Sequence, residues 1–255
     1  MAAPEQKDKP KGIEFYGGYE VYSESGVDLT LLRGNLRRSI EERWEKNRRA
    51  AEASMELWLS NPYRELLAGT SFDRSPIVSN VEAFVKLLTA QKVQFVIVGG
   101  QAMRALGSSH LTDDTDICYQ RAPSNLAALV AALAPVHPYL RGVPKGLPFR
   151  FDVPTLAAGL NFTFDTDYGE IDILGEVSGV GNYDQVLAQS VERMAYGVSV
   201  RVLSVDGLIA AKKAAGRNKD QSHLLELIEL KKILDAAKPA QEPKGEQSAE
   251  SDSPQ

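Results

Sequence analysis

Asp114 and Asp116 place two carboxylates one residue apart in the segment Thr112-Asp113-Asp114-Thr115-Asp116. That segment follows the apolar run Val93-Gln94-Phe95-Val96-Ile97-Val98, which ends in the pair Gly99-Gly100. On a strand, alternation points Asp114 and Asp116 to one face and Thr115 and Ile117 to the other. Hard oxygen donors on one face suit Mg²⁺, which takes one or two carboxylates together with substrate phosphates, and a paired site holds its metals about 3.5–4 Å apart. The glycines fit the same chemistry. A backbone without Cβ can turn sharply and let a phosphate approach its N–H groups, more so where a helix begins with its positive end toward the ligand.

The order glycine pair, short helix, Gly107-Ser108, Thr112, Asp114, Asp116 resembles the nucleotidyltransferase superfamily with the polymerase-β-like fold, in particular its small bacterial members, which include abortive-infection toxins. The resemblance spans roughly residues 80 to 236. Gly169-Glu170-Ile171-Asp172-Ile173-Leu174 sits where that family carries its third carboxylate, and the stretch from Asp206 to Asp220 is similar to the helix and turn that close many small members. The resemblance implies catalytic and metal-binding roles for Asp114, Asp116 and Asp172. It implies nucleotide contacts from Gly99, Gly100, Ser108 and Lys212, with Arg217 or Lys219 assisting Lys212 at the triphosphate. It also implies Mg²⁺ as cofactor, a nucleoside triphosphate such as ATP as donor, RNA, protein or a small molecule as acceptor, and an antitoxin partner for a toxin-like member. Where such relatives often carry an arginine two residues before the threonine, this chain has His110.

Each residue has a plainer reading. Asp-rich segments are usually turns, because aspartate caps its own backbone. The glycine pair before and Asp172 after move Asp114 and Asp116 to the catalytic side. Asp113 breaks the alternation and is expected to face water or cap the turn. Asp165 and Asp167 read as decoys, with Asn161–Asp165 and Glu170–Leu174 as two strands joined through Asp167 and Gly169, so that only Asp172 lies inside a strand. Cys118 shares the face of Asp114 and Asp116 and reads as a small buried hydrophobe, since magnesium avoids thiolate. Arg104 on the short helix could face the nucleotide and more commonly would be solvated. Lys212, Lys213 and Arg217 near a helix C-terminus also suit the macrodipole. His110, His137 and His223 have no metal-ligand spacing and read as structural, with a place near the phosphates as the alternative for His110. The same three acids acting on water would make a metal-dependent phosphodiesterase or nuclease, and a fold without turnover would be a nucleotide-binding module.

The elements that must position these residues make an α+β chain: a nucleotidyltransferase fold with a mixed β-sheet and flanking helices, an N-terminal helical arm and a disordered C-terminal tail. Its parts are a disordered start and arm over residues 1–75, the catalytic domain over 76–236 and a tail over 237–255 that holds no aliphatic residue larger than alanine. In the arm, Ser39 and Glu42 spell a capping box, followed by Ile40, Trp44, Ala51, Met55 and Trp58 near helical spacing, and Asn61-Pro62 ends it. Arg33, Arg37, Arg38, Arg43, Lys46, Arg48 and Arg49 make the arm basic, which reads first as a helix with charges paired at i,i+4 and second as an RNA-facing element. Ser79 with Glu82 opens the core, where Val81, Phe84, Val85 and Leu88 form one stripe. A strand into Gly99, a helix over Ala102–Leu106, the acidic strand, a helix over about 124–134, the Asp172 hairpin, a helix near 183–190, a strand over 198–203 and helices on each side of Gly216 follow.

At 255 residues with 43% hydrophobic and 25% charged, the chain can bury a full core, and its net charge of −5 argues against a general nucleic-acid coat. One cysteine excludes an internal disulfide and a Cys-based zinc site. The N-terminus lacks an apolar signal region and no run reaches membrane length, so the reading is a soluble cytoplasmic protein.

Overall fold

The computed structural model describes residues 20–60, 62, 78–144, 146, 148–218 and 220–237, with the backbone of Glu14–Phe15 and Tyr19. Of the disordered start and arm over residues 1–75, residues 1–13, 16–18, 61 and 63–75 lie outside the described residues. The 237–255 tail lies outside them but for Ala237. A two-stranded ribbon, β1 (Glu14–Phe15) and β2 (Tyr19–Glu20), precedes helices α1 (Leu29–Leu36) and α2 (Ile40–Leu59). The arm is thus two helices. Ser39 and Glu42 form the reciprocal capping box that starts α2, satisfying amides that a helix N-terminus otherwise leaves open.

Helix α3 (Val81–Ala90) buries the stripe Val81, Phe84, Val85 and Leu88, but its cap is Asn80, not Ser79. Ser79 instead is buried with its hydroxyl 2.6 Å from the Thr115 hydroxyl. After it come β3 (Phe95–Val98), α4 (Gly99–Leu106), β4 (Thr115–Tyr119) and α5 (Pro123–Leu133). The Pro- and Gly-rich stretch beyond holds a short strand β5 (Tyr139–Leu140) and a helix α6 (Val153–Ala158) that the sequence pattern did not signal. The hairpin of β6 (Asn161–Thr166) and β7 (Gly169–Leu174) is present, and Asp165 is inside β6, so Asp172 is not the one acid of this hairpin within a strand. A small ribbon, β8 (Glu176–Val177) and β9 (Gly181–Asn182), and helix α7 (Tyr183–Ala188) follow. The hairpin β10 (Ser190–Ala195) and β11 (Val198–Leu203) leads to α8 (Val205–Ala215) and α9 (Asp220–Ala236), with Gly216 at φ +60° ending α8.

The fold is α+β, with helices flanking a mixed seven-stranded sheet in the order β10-β11-β3-β4-β7-β6-β5. The pairs β11/β3 and β4/β7 are parallel and the others antiparallel. Strand β3 is buried along its whole length, which requires cover on both faces and explains why its sequence is a continuous apolar run. The core continues without a break into the arm, where Leu29, Leu32, Ile40 and Trp44 join the same cluster as the sheet residues. Trp44 stacks on Tyr196 with ring centroids 5.9 Å apart.

Candidate active site

Parallel pairing of β4 with β7 puts Asp116 in register with Asp172, so neighbouring strands deliver two carboxylates to one place. Asp114 arrives differently. The expectation that it shares a strand with Asp116 is corrected, because β4 begins at Thr115. Asp113 and Asp114 form a bend whose carbonyls are taken from outside the sheet, by the Ser79 amide at 3.0 Å and the Gln101 side-chain amide at 3.0 Å respectively. The Thr112 hydroxyl donates to Asp114 Oδ1 at 2.6 Å. The outcome is that Asp114, Asp116 and Asp172 each offer an oxygen within 4.8 Å of the others, a grouping able to hold a metal ion.

The glycine pair serves the acids directly. A Cβ on Gly99, which sits at φ +59°, would lie 1.9 Å from Asp116 Oδ2, and one on Gly100 would lie 2.4 Å from Thr112 Oγ1. Helix α4 starts at the pair itself, earlier than the sequence reading placed it, and the Gly100 N–H donates to the Asp116 carboxylate. The helix N-terminus thus faces an anion supplied by the protein's own chain.

All three acids line one cavity of about 810 Å³. Among the described residues its wall carries six carboxylates, those of Asp113, Asp114, Asp116, Glu170, Asp172 and Glu176, against three Lys/Arg cations. Burial, reinforced by the charges of Asp114 and Asp172, pushes Asp116 up to about 8, although the Gly100 amide and Lys212 pull the other way. Burial also lifts Asp172 to about 6, against the opposing pull of Arg141. Glu170 is raised too, again by burial first.

Gly99, Gly100, Lys212 and Arg217 border this cavity. Lys212 Nζ sits 2.8 Å from Asp220 Oδ1 and Arg217 Nε 2.7 Å from Asp220 Oδ2. Asp220 is itself buried. Burial opposes its charge, but the bonds from Arg217 and Lys212 hold its carboxyl well below the usual range. Ser108 is not at the cavity: fully buried, it donates to Glu226 at 3.0 Å. Lys219 lies outside the described residues. Arg104 neither faces the cavity nor meets water, because it is buried and donates to the carbonyls of Ser108 and Arg43. Cys118 is buried, with its thiol pushed up to about 12 by that burial. His137 is at the surface, 2.7 Å from Asp167. His110 and His223 stand together on the cavity wall with ring centroids 3.6 Å apart, a meeting their distance in sequence did not suggest.

Arg141 is the residue the sequence reading missed. Its guanidinium lies 2.8 Å from Asp172 Oδ1, 3.2 Å from Glu170 Oε2 and 3.6 Å from Asp165 Oδ1. A signal existed. Glu170 and Asp172 share a strand face and Asp165 pairs across from Glu170, and three carboxylates so placed call for a cation. Nothing local singles out Arg141 as that cation, since it follows a two-residue strand in a stretch without periodicity.

No family model matches this chain, and no curated protein matches it either. Among solved structures, it is similar to the lincosamide antibiotic adenylyltransferase LnuA bound to lincomycin, at 12% identity and a TM-score of 0.41, over 60% of this chain and 98% of that one. A likeness of that size decides nothing about chemistry, and it lends no support to the toxin-like members. No helix among the described residues is long and apolar enough to cross a membrane.

Proposed function

We propose that this protein is a Mg²⁺-dependent nucleotidyltransferase, moving a nucleotidyl group from a nucleoside triphosphate to an acceptor hydroxyl with release of pyrophosphate. The observation that carries the reading is the convergence of Asp114, Asp116 and Asp172 within 4.8 Å on a cavity that Lys212 and Arg217 also line. The donor set suits the metal, because three carboxylates are hard oxygen ligands and the raised protonation of Asp116 and Asp172 marks uncompensated negative charge that a divalent cation would neutralise. Asp114, Asp116 and Asp172 would hold it, and when bound it supplies Lewis acidity toward the transferring phosphoryl group.

The chain's own residues account for the rest. Asp172 lies at the edge of the triad nearest Arg141 and takes the proton of the acceptor hydroxyl as its oxygen bonds to the α-phosphorus. The bond from that phosphorus to the bridging oxygen breaks in line, and the charge on departing pyrophosphate is met by Lys212 and Arg217, which Asp220 fixes in place. A cavity of about 810 Å³ falls within the usual range for small-molecule sites and admits a nucleotide. These cations are what a hydrolytic phosphodiesterase would not require, which favours transfer.

The test is incubation of full-length protein with labelled triphosphates, Mg²⁺ and RNA, protein or small-molecule acceptors from a host extract. Wild type is expected to give pyrophosphate and a labelled acceptor. Asp172→Asn should retain nucleotide binding and lose transfer by roughly 10²-fold or more, as removal of a group used mainly in the transition state does. Phosphodiester cleavage by wild type with no triphosphate present would overturn the assignment.

A further inference from the structure

Asp114 is the one acid of the triad that no strand holds, and its support leads out of the sheet into the N-terminal arm. Asn47, on α2, is buried at 2% exposure. Its Nδ2 donates to the Thr112 carbonyl at 2.8 Å, and its Oδ1 accepts from the Thr112 N–H at 3.1 Å. Both ends of one amide are thus engaged by the backbone of a single residue. A flipped amide would lose both bonds, so the orientation is fixed by the pairing. Thr112 has no ladder partner of its own, lying in the irregular stretch before β4. Its side chain lies against Gly100, where even a Cβ would come within 2.4 Å of Oγ1, and its hydroxyl donates to Asp114 Oδ1 at 2.6 Å.

We propose that Asn47 is a positioning residue of the active site: through Thr112 it sets the orientation of the Asp114 carboxylate toward Asp116 and Asp172. The inference rests on the reading of these three acids as metal ligands. Helix α2 is a stiff base for the task. Trp44, one turn earlier, donates its indole N–H to the Gln101 carbonyl at 3.0 Å, while Gln101 donates to the Asp114 carbonyl at 3.0 Å. Arg43 reaches the carbonyls of Asn35 and Ala105. Two routes from the arm therefore converge on Asp114, one to its side chain through Asn47 and Thr112, the other to its backbone through Trp44 and Gln101. Removing the first route leaves the second, so loss of Asn47 should loosen the carboxylate without dismantling the loop. A group that orients a ligating carboxylate is commonly worth about 10–100-fold in metal affinity.

The experiment reads Mn²⁺ binding to the full chain without nucleotide, by electron paramagnetic resonance, beside the melting temperature of each variant. Wild type should bind Mn²⁺. Asn47→Leu and Thr112→Val should each weaken binding by about 10-fold or more, whereas Thr112→Ser, which keeps the hydroxyl, should stay within about twofold. The double variant should be no weaker than the worse single one, because both break the same chain of contacts. If Asn47→Leu does not fold, Asn47→Asp is read in its place, since it keeps the shape and the acceptor for the Thr112 N–H. Folded Asn47 variants that bind Mn²⁺ like wild type would overturn the positioning role while leaving the metal reading intact. Loss of folding in both Asn47 variants would make Asn47 a core residue and overturn it as well. Failure of wild type to bind Mn²⁺ would overturn the metal reading, and this inference with it.

Discussion

Asp116 shows how a single residue couples the site to pH. Its carboxyl is raised to about 8 from an ordinary 3.8, mainly by burial and then by Asp114 and Asp172. The folded metal-free chain therefore keeps a proton that the unfolded chain releases. Stability from this group is present at low pH and falls away as pH climbs from about 4 through 8. A cation competes with that proton, so metal affinity should rise across the same window. With chelator present, the melting temperature should fall between about pH 6 and pH 8, and saturating Mg²⁺ should restore more at pH 8 than at pH 6. Asp116→Asn should flatten both responses. It should also raise the metal-free melting temperature at pH 8 by roughly 2–8 °C, the shift that about 1–2 kcal/mol gives a chain of this size. Differential scanning fluorimetry reads all of these, and an Asp116→Asn variant with an unchanged Mg²⁺ response would remove Asp116 from the metal site.

Elements show why part of the site was legible and part was not. Alternation along β4 and β7 is local, so the sequence displayed Asp116 and Asp172, and the register between the strands brought them together. The glycine pair was legible as a close approach. What approaches it, the Asp116 carboxylate and the Thr112 side chain, was not, because that partner is fixed by tertiary packing. Strand β10 escaped notice because three of its residues are exposed and its partner is defined by the turn at Tyr196 and Gly197, both with positive φ. The basic arm resolved to its plainer reading at Arg48 and Arg49, which pair with Glu45 and Glu52, and departed from it at Arg43, which is buried.

The same element scale sets the expectation for Arg141, which ties Asp165 on β6 to Glu170 and Asp172 on β7. Arg141→Met would leave these carboxylates facing one another. The part of the cost that falls on Asp172 appears where that acid is charged, so it should be small near pH 5, below its value of about 6, and full by pH 8. Because the guanidinium is partly exposed, about 1–2 kcal/mol is the expected loss at pH 8. Urea unfolding of the metal-free protein at the two pH values measures it. Equal destabilisation at both would show that Arg141 acts by packing rather than by charge.

At the scale of the whole molecule, the arm and the sheet share one core, and this decides what truncation should do. Leu29, Leu32, Ile40 and Trp44 belong to the same buried cluster as Val96, Ile97 and Ile117. Asn35, Arg43 and Trp44 also satisfy carbonyls of Gln101, Ala105, Gly107 and Ser108, on and just after α4. Losing a buried Trp side chain alone typically costs about 3–5 kcal/mol, against a total stability of about 5–15 kcal/mol for ordinary domains. Deleting residues 1–60 removes that side chain together with three other buried aliphatic anchors, and strips partners from buried acceptors that water then has to reach. The truncated chain should therefore be insoluble, or soluble without a cooperative melting transition, even though it retains Asp114, Asp116, Asp172, Lys212 and Arg217. Calorimetry and size-exclusion chromatography of the deletion beside full-length protein test this. A soluble deletion that melts within a few degrees of the full chain would establish the arm as a separable module, and would require Asp114 to be held without the arm, by Gln101 at its carbonyl and Thr112 at its carboxylate.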